Sequence, residues 1–74
     1  MNEHRLKSAL MQMRVGEHRT ERWFEKNGVS ESDLNEAVML GYLVHYAEDP
    51  NDFMLDSEYS LTQCGQEFAW PRRN

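Results

Sequence analysis

The chain is poor in the residues that cross-link a small protein or carry it through a membrane. Its 74 residues include one cysteine, Cys64, which excludes an intrachain disulfide. No apolar run approaches the roughly 20 residues needed to cross a bilayer, and the opening Met-Asn-Glu-His-Arg lacks the apolar stretch of a secretory signal. We therefore expect a soluble, cytoplasmic chain that folds as a single domain over residues 1–74.

Basic residues are missing from most of the chain. Residues 27–71 contain no Lys or Arg and nine carboxylates, whereas residues 1–26 contain six basic and four acidic side chains. The overall net charge is −5. A long segment without basic side chains projects a negative field, which repels phosphate backbones. This distribution favours a basic partner over nucleic acid.

Two helices are predicted near the start of the chain. Apolar residues that recur every three or four positions predict a helix over residues 3–14. A second, short helix is predicted over residues 20–27, with Thr20 as its N-cap. Its adjacent aromatic residues, Trp23 and Phe24, are expected to anchor it in the core.

The third predicted helix has the clearest local signal. Ser30 precedes Asp33 by three residues, which approximates a capping box. Val29 and Leu34 have the spacing of a hydrophobic staple across the same helix start. Gly41 is expected to end this helix.

A strand pair and a last helix are predicted for the remainder. The strands are expected at Tyr42–Ala47 and Glu58–Leu61, with a turn at residues 48–52 between them. Thr62 is expected to cap a helix over residues 63–70. Phe53, Met54 and Leu55 follow the turn. They fit either an exposed apolar tip between the two strands or an extension of the second strand.

Three short segments resemble a known family. Asn27-Gly28-Val29-Ser30 is similar to the turn of a helix-turn-helix, and Leu40-Gly41-Tyr42-Leu43-Val44 is similar to the passage from its third helix into a wing strand. Tyr59-Ser60-Leu61-Thr62-Gln63-Cys64-Gly65 is similar to the Tyr-x-Leu-Thr-x-x-Gly pattern at the returning wing strand. Together they resemble the winged helix-turn-helix superfamily of small bacterial and phage regulators, over about residues 5–70. The resemblance implies an α+β fold with three N-terminal helices, a two-stranded β-hairpin (the wing) and a short C-terminal helix.

The resemblance also implies that the third helix and the wing form the binding surface. In DNA-binding relatives this helix enters the major groove, where Arg, Lys, Asn and Gln make most specific contacts. Here the helix and wing contain carboxylates instead, which predicts that the partner is a basic protein surface. One such partner is a protein whose nucleic-acid site this chain would occupy by imitating the charge of nucleic acid. The predicted partner-binding residues are Glu31, Asp33, Glu36, Asp49, Asp52, Phe53 and Asp56.

Two other functions are consistent with the sequence. The first is a small DNA-binding transcription regulator of phage or plasmid type, with Arg19, Arg22 and Lys26 on phosphates and with Ser32 and Asn35 near bases. The second is a structural subunit that gains stability by oligomerising. The DNA-binding regulator would have to form a homodimer, and a homodimer is also compatible with the protein-binding module.

The sequence contains no recognisable catalytic or cofactor motif. The histidines His4, His18 and His45 and the thiol of Cys64 are not paired at zinc-ligand spacing. Cys64 also lacks a neighbouring base or cation, so we expect it to be a half-buried core residue. We therefore expect a non-enzymatic module that needs no metal or cofactor.

Overall fold

The computed structural model describes residues 2–46 and 57–71. These residues form an α+β structure of four helices and a three-stranded antiparallel sheet. No helix in this part of the chain is long and apolar enough to cross a membrane. In chain order the elements are α1 (Glu3–Leu10), β1 (His18–Thr20), α2 (Glu21–Lys26), α3 (Glu31–Met39), β2 (Leu43–Tyr46), β3 (Glu58–Leu61) and α4 (Gln63–Ala69).

Helix α1 is shorter than its apolar spacing predicts. The side chain of Asn2 caps its start by accepting from the Arg5 amide at 3.1 Å. The predicted end at residue 14 is wrong, because the chain leaves the helix after Leu10. The Met13 amide donates to the Leu10 carbonyl three residues earlier, which is a tighter turn than an α-helix. Met13 is buried all the same, so the apolar pattern marks the core correctly although it misplaces the helix end.

Strand β1 is not predicted by the sequence. It pairs antiparallel with β3, with His18 opposite Ser60 and Thr20 opposite Glu58. The sheet order is β1-β3-β2, so β3 is the central strand. A three-residue strand has too little local pattern to be recognised, and its pairing with a strand some 40 residues later decides its conformation.

A four-residue turn joins α2 to α3. The Gly28 amide donates to Glu25 and the Val29 amide donates to Phe24, which is the Schellman arrangement that closes a helix C-terminus. Gly28 has a φ of +81°, a conformation that other residues rarely adopt. Val29 is buried, and Ser30 then caps α3 by accepting from the Asp33 amide at 3.2 Å. At the other end of α2 the Thr20 hydroxyl accepts from the Trp23 amide at 3.2 Å, so the predicted N-caps of α2 and α3 are both confirmed.

The junction between β2, β3 and α4 gives a physical reason for the Tyr-x-Leu-Thr-x-x-Gly spacing of residues 59–65. Tyr59 and Leu61 are buried on the inner face of the sheet. The Thr62 hydroxyl accepts from the Gly65 amide at 2.9 Å, which caps α4, and lies 3.0 Å from the Tyr42 carbonyl, to which it can donate. Gly65 packs so closely on the Tyr42 carbonyl that a side chain has no room. One short segment thus fixes α4 against the start of β2.

Replacing Thr62 by valine should lower the free energy of unfolding by about 1–2 kcal/mol. The substitution keeps the side-chain volume but removes the N-cap acceptor and the donor to the β2 junction. Urea unfolding followed by circular dichroism measures the change. Thr62→Ser keeps the hydroxyl, and it should recover most of the loss; an equal loss in both variants would contradict the hydrogen-bonding role.

The core lies between the helices and the inner face of the sheet. Its largest fully buried side chain is Phe24, and the ring of Tyr59 contacts it edge-on with centroids 5.7 Å apart. Trp23 packs at the edge of the core, which confirms that both adjacent aromatics of α2 are structural. The buried apolar residues are Leu6, Ala9, Leu10, Met13, Phe24, Val29, Leu34, Ala37, Leu43, Tyr59, Leu61 and Ala69.

Candidate interaction surface

Helix α3 presents a ridge of exposed side chains to solvent. Leu34 and Ala37 face the core, so the opposite side of the helix is exposed. Ser32 and Met39 lie one above the other at the centre of that side, and Met39 is 86% exposed. The outward surface of α3 is completed by Glu31, Asn35 and Glu36, all exposed.

Two of the three predicted carboxylates of α3 are exposed. Glu31 and Glu36 are exposed, while Asp33 is half-buried in the first turn. Both Glu31 and Asp33 lie near the positive end of the helix dipole, which stabilises them there. Glu36 is in the middle of the helix, so the helix dipole does not stabilise its charge in this way. The charge available to a partner comes mainly from Glu31 and Glu36.

A surface groove between α2 and the start of α3 gathers further negative charge. Its walls are formed by Glu21, Glu25, Val29, Ser30 and Glu31. The two α2 carboxylates are at i,i+4 spacing, so both face the groove. The sequence does not identify these two residues, because only the packing of the two helices brings them next to the start of α3.

Two of the groove carboxylates, Glu21 and Glu31, lie near Tyr59 of the inner sheet face. Burial raises the pKa of the Tyr59 phenol, and the nearby carboxylates Glu21 and Glu31 raise it further. The phenol is therefore uncharged at neutral pH. The exposed imidazole of His45 stacks on the same ring, with centroids 4.8 Å apart. Glu21 and Glu31 thus lie near a phenol that carries no charge.

The basic residues proposed for phosphate contact are only partly available. The Arg19 guanidinium pairs with the Glu17 carboxylate and lies over the Trp23 ring, 5.5 Å from its centroid. Arg22 and Lys26 are exposed on α2. Their neighbours on the same short helix include the groove carboxylates Glu21 and Glu25, which offset their field.

The remaining predicted surface residues fall elsewhere. Asp49, Asp52, Phe53 and Asp56 lie outside the described residues. Ser32 and Asn35, the candidates for base contact, are both exposed on α3.

The expectation for Cys64 is wrong. Its side chain is exposed on α4, because the neighbouring Gly65 and Ala69 occupy the inward positions of that helix. In the described ranges, no three His, Cys, Asp or Glu side chains are grouped as metal ligands.

Comparison with protein-family models, curated proteins and solved structures finds no match for this chain.

Proposed function

We propose that the chain is a non-enzymatic interaction module of winged-helix type that binds a basic protein surface through α3 and the adjoining groove. The observation that carries the proposal is the convergence of Glu21, Glu25 and Glu31 around the start of α3, with Glu36 further along the same helix. Complementary charge of this kind speeds association and selects basic partners. The nucleic-acid-binding site of another protein is one example of such a basic surface.

The arrangement of elements supports the winged-helix interpretation. Helices α2 and α3 are joined by a four-residue turn containing Gly28, as in a helix-turn-helix. An antiparallel strand pair follows at once, with β2 and β3 in the register Leu43 to Leu61 and Tyr46 to Glu58. In that fold the second helix of the motif faces the ligand, which here is α3.

The negative charge of α3 is the reason for proposing a protein, and not DNA, as the partner. A helix that enters the major groove lies between two phosphate backbones, so each exposed carboxylate adds repulsion. Glu31 and Glu36 are both exposed on this helix, and the chain has no Lys or Arg between residues 27 and 71. The contact to a basic protein should weaken as salt rises, because exposed charges are screened.

Charge reversal on α3 tests the proposal. The double variant Glu31→Lys, Glu36→Lys should abolish retention of the partner from an extract of the natural host. The matched control is Glu3→Lys, Glu67→Lys, because Glu3 and Glu31 open their helices while Glu67 and Glu36 are exposed mid-helix residues. Both variants change the net charge equally, so a loss confined to the first assigns binding to this face.

Nuclease and salt, added in the same experiment, distinguish a protein partner from a nucleic-acid partner. Binding should survive nuclease treatment and should fall between about 0.05 and about 0.5 M salt. If the retained material disappears with nuclease, or if the α3 variant and the control behave alike, α3 is not a protein-binding surface.

A small DNA-binding regulator is the second candidate. It is favoured by one observation, the exposure of Ser32 and Asn35 along the outward ridge of α3. It predicts binding to duplex DNA at low salt with a steep loss of affinity as salt rises. In that case Asn35→Ala should relax the preference for particular DNA sequences, whereas Lys26→Ala should lower the affinity for all duplexes alike.

A further inference from the structure

We infer that Asn27 is a site of spontaneous deamidation whose rate is set by local opening of the turn between α2 and α3. The pair Asn27-Gly28 forms the first half of this turn. Asparagine is among the chemically labile residues of proteins. A following glycine makes it especially reactive, because glycine has no side chain to shield its backbone nitrogen. The inference is independent of what α3 binds.

The reaction needs no reagent other than water. The backbone nitrogen of Gly28 loses its proton and attacks the side-chain carbonyl carbon of Asn27, so that a new C–N bond forms. The old bond from that carbon to Nδ2 breaks, and Nδ2 takes up the proton and leaves as ammonia. Water then opens the resulting succinimide ring at either of its carbonyl carbons, which gives aspartate or isoaspartate.

In the folded chain, hydrogen bonds hold both reacting groups. The Gly28 amide donates to the Glu25 carbonyl at 3.0 Å, so its proton is already engaged. The Asn27 side chain is fixed at both ends: Nδ2 donates to the Trp23 carbonyl at 2.8 Å, and Oδ1 accepts from Gln12 Nε2 at 3.1 Å. The amide must leave these partners before its carbon can be attacked.

The backbone conformation of Asn27 also opposes ring closure. Its ψ of 12° turns the Gly28 nitrogen toward the nitrogen of Asn27 and away from its Cβ. A succinimide ring contains both Cβ and the Gly28 nitrogen, so they must lie on the same side of the Cα–C bond. Rotation about this bond would move the Gly28 and Val29 amides, whose hydrogen bonds close the C-terminus of α2. The reaction therefore requires the turn to open.

The product cannot restore the original contacts. An aspartate at position 27 has no donor for the Trp23 carbonyl, and its charge lies at the negative end of the α2 dipole. Isoaspartate adds a backbone atom to a turn in which Gly28 has a φ of +81° and Val29 is buried. Modified chains therefore accumulate with time, and their α2, which carries two of the groove carboxylates, is less firmly held.

Mass spectrometry of the full chain measures the modification, and fragmentation locates it. At neutral pH the chain unfolded in guanidinium chloride should deamidate at Asn27. The folded chain should do so more slowly by roughly tenfold or more, because the opened fraction limits the rate. Asn35 is the internal reference, since the side chain of Glu36 shields the nitrogen that would attack it, and it should stay intact in both states.

Three variants test the local gate. Gln12→Ala removes one hydrogen bond from the Asn27 side chain, so it should speed deamidation of the folded chain roughly fivefold and leave the rate in guanidinium unchanged. Gln63→Ala removes an exposed glutamine from α4 and is the matched control. Thr62→Val weakens the fold at the distant β2–α4 junction, and it should leave the rate unchanged if the turn opens on its own.

The structural consequence is tested with Asn27→Asp, which reproduces one product. This variant should unfold at a lower urea concentration than Asn35→Asp, which adds the same charge at an exposed position of α3. Equal unfolding midpoints would contradict the loosening of α2.

The remaining outcomes decide the inference as a whole. Equal rates in the folded and unfolded chains overturn it, as does an Asn27 that stays intact in guanidinium. A Gln12→Ala variant no faster than Gln63→Ala removes the side-chain gate. Acceleration by Thr62→Val equal to that by Gln12→Ala assigns the reaction to global unfolding and contradicts local opening. None of these results affects whether α3 binds a basic protein.

Discussion

Replacing Gly65 by alanine is expected to remove most of the stability of the fold at 25 °C. An added Cβ would lie 2.2 Å from the Tyr42 carbonyl oxygen and 2.8 Å from the Leu61 Cδ1 atom. The carbonyl belongs to the backbone at the start of β2 and also accepts from the Thr62 amide, so it cannot move away without breaking that hydrogen bond. Overpacking of this kind costs about 3 kcal/mol. A domain of this size has only roughly 3–5 kcal/mol of stability.

The measurement is urea unfolding, compared with a second alanine variant of α4. Gln63→Ala removes an exposed side chain from the first turn of the same helix, and it should change the free energy of unfolding by less than about 0.5 kcal/mol. If Gly65→Ala is as stable as Gln63→Ala, α4 does not pack on the Tyr42 carbonyl as described. A Gly65→Ser variant should be at least as damaging, since it adds a larger group at the same point.

The close approach at Gly65 also shows what a sequence can reveal about this fold. The spacing of Tyr59, Leu61, Thr62 and Gly65 predicts a strand followed by a capped helix, and both are present. The sequence does not reveal that the glycine is required by a carbonyl of a different strand. Local signals, such as the caps at Thr20 and Ser30, depend on side chains next to the backbone they bind, so they can be predicted.

Features that depend on distant contacts could not be predicted. Strand β1 forms because β3 pairs with it, and α1 ends early although its apolar spacing continues to Met13. The residues of the candidate site likewise divide into those that local sequence indicates and those that only packing brings together. Glu31 and Glu36 were predicted from their place on α3, whereas Glu21 and Glu25 become part of the surface only through the packing of α2 beside it.

Replacing Phe24 by alanine should lower the free energy of unfolding by about 3–5 kcal/mol, because Phe24 is the largest fully buried side chain. Its ring contacts Trp23 and Tyr59 edge-on, at centroid distances of 5.0 and 5.7 Å. Truncation therefore leaves a cavity and also removes two aromatic contacts, each worth about 0.5–1.5 kcal/mol beyond buried area. Because a domain of this size has only roughly 3–5 kcal/mol of stability, circular dichroism without urea should show that the variant is largely unfolded.

Phe68→Ala is the matched control for this prediction. Phe68 is half-buried and stacks on Tyr42 with centroids 4.2 Å apart, while Lys7 lies over its ring. Solvent already reaches that site, so a smaller cavity remains and we expect roughly half the loss or less. Equal losses in the two variants would mean that the centre of the core does not lie beneath α2.

The consequence for binding follows from the position of Phe24. It fixes the short helix α2 to the sheet, and α2 supplies Glu21 and Glu25 to the groove beside α3. Phe24→Leu keeps an apolar side chain and should leave the chain folded, with a cost of about 1–2 kcal/mol. If the groove carboxylates act as a unit, this variant should bind a basic partner less tightly although no charge has changed, and full affinity would confine the contact to α3 itself.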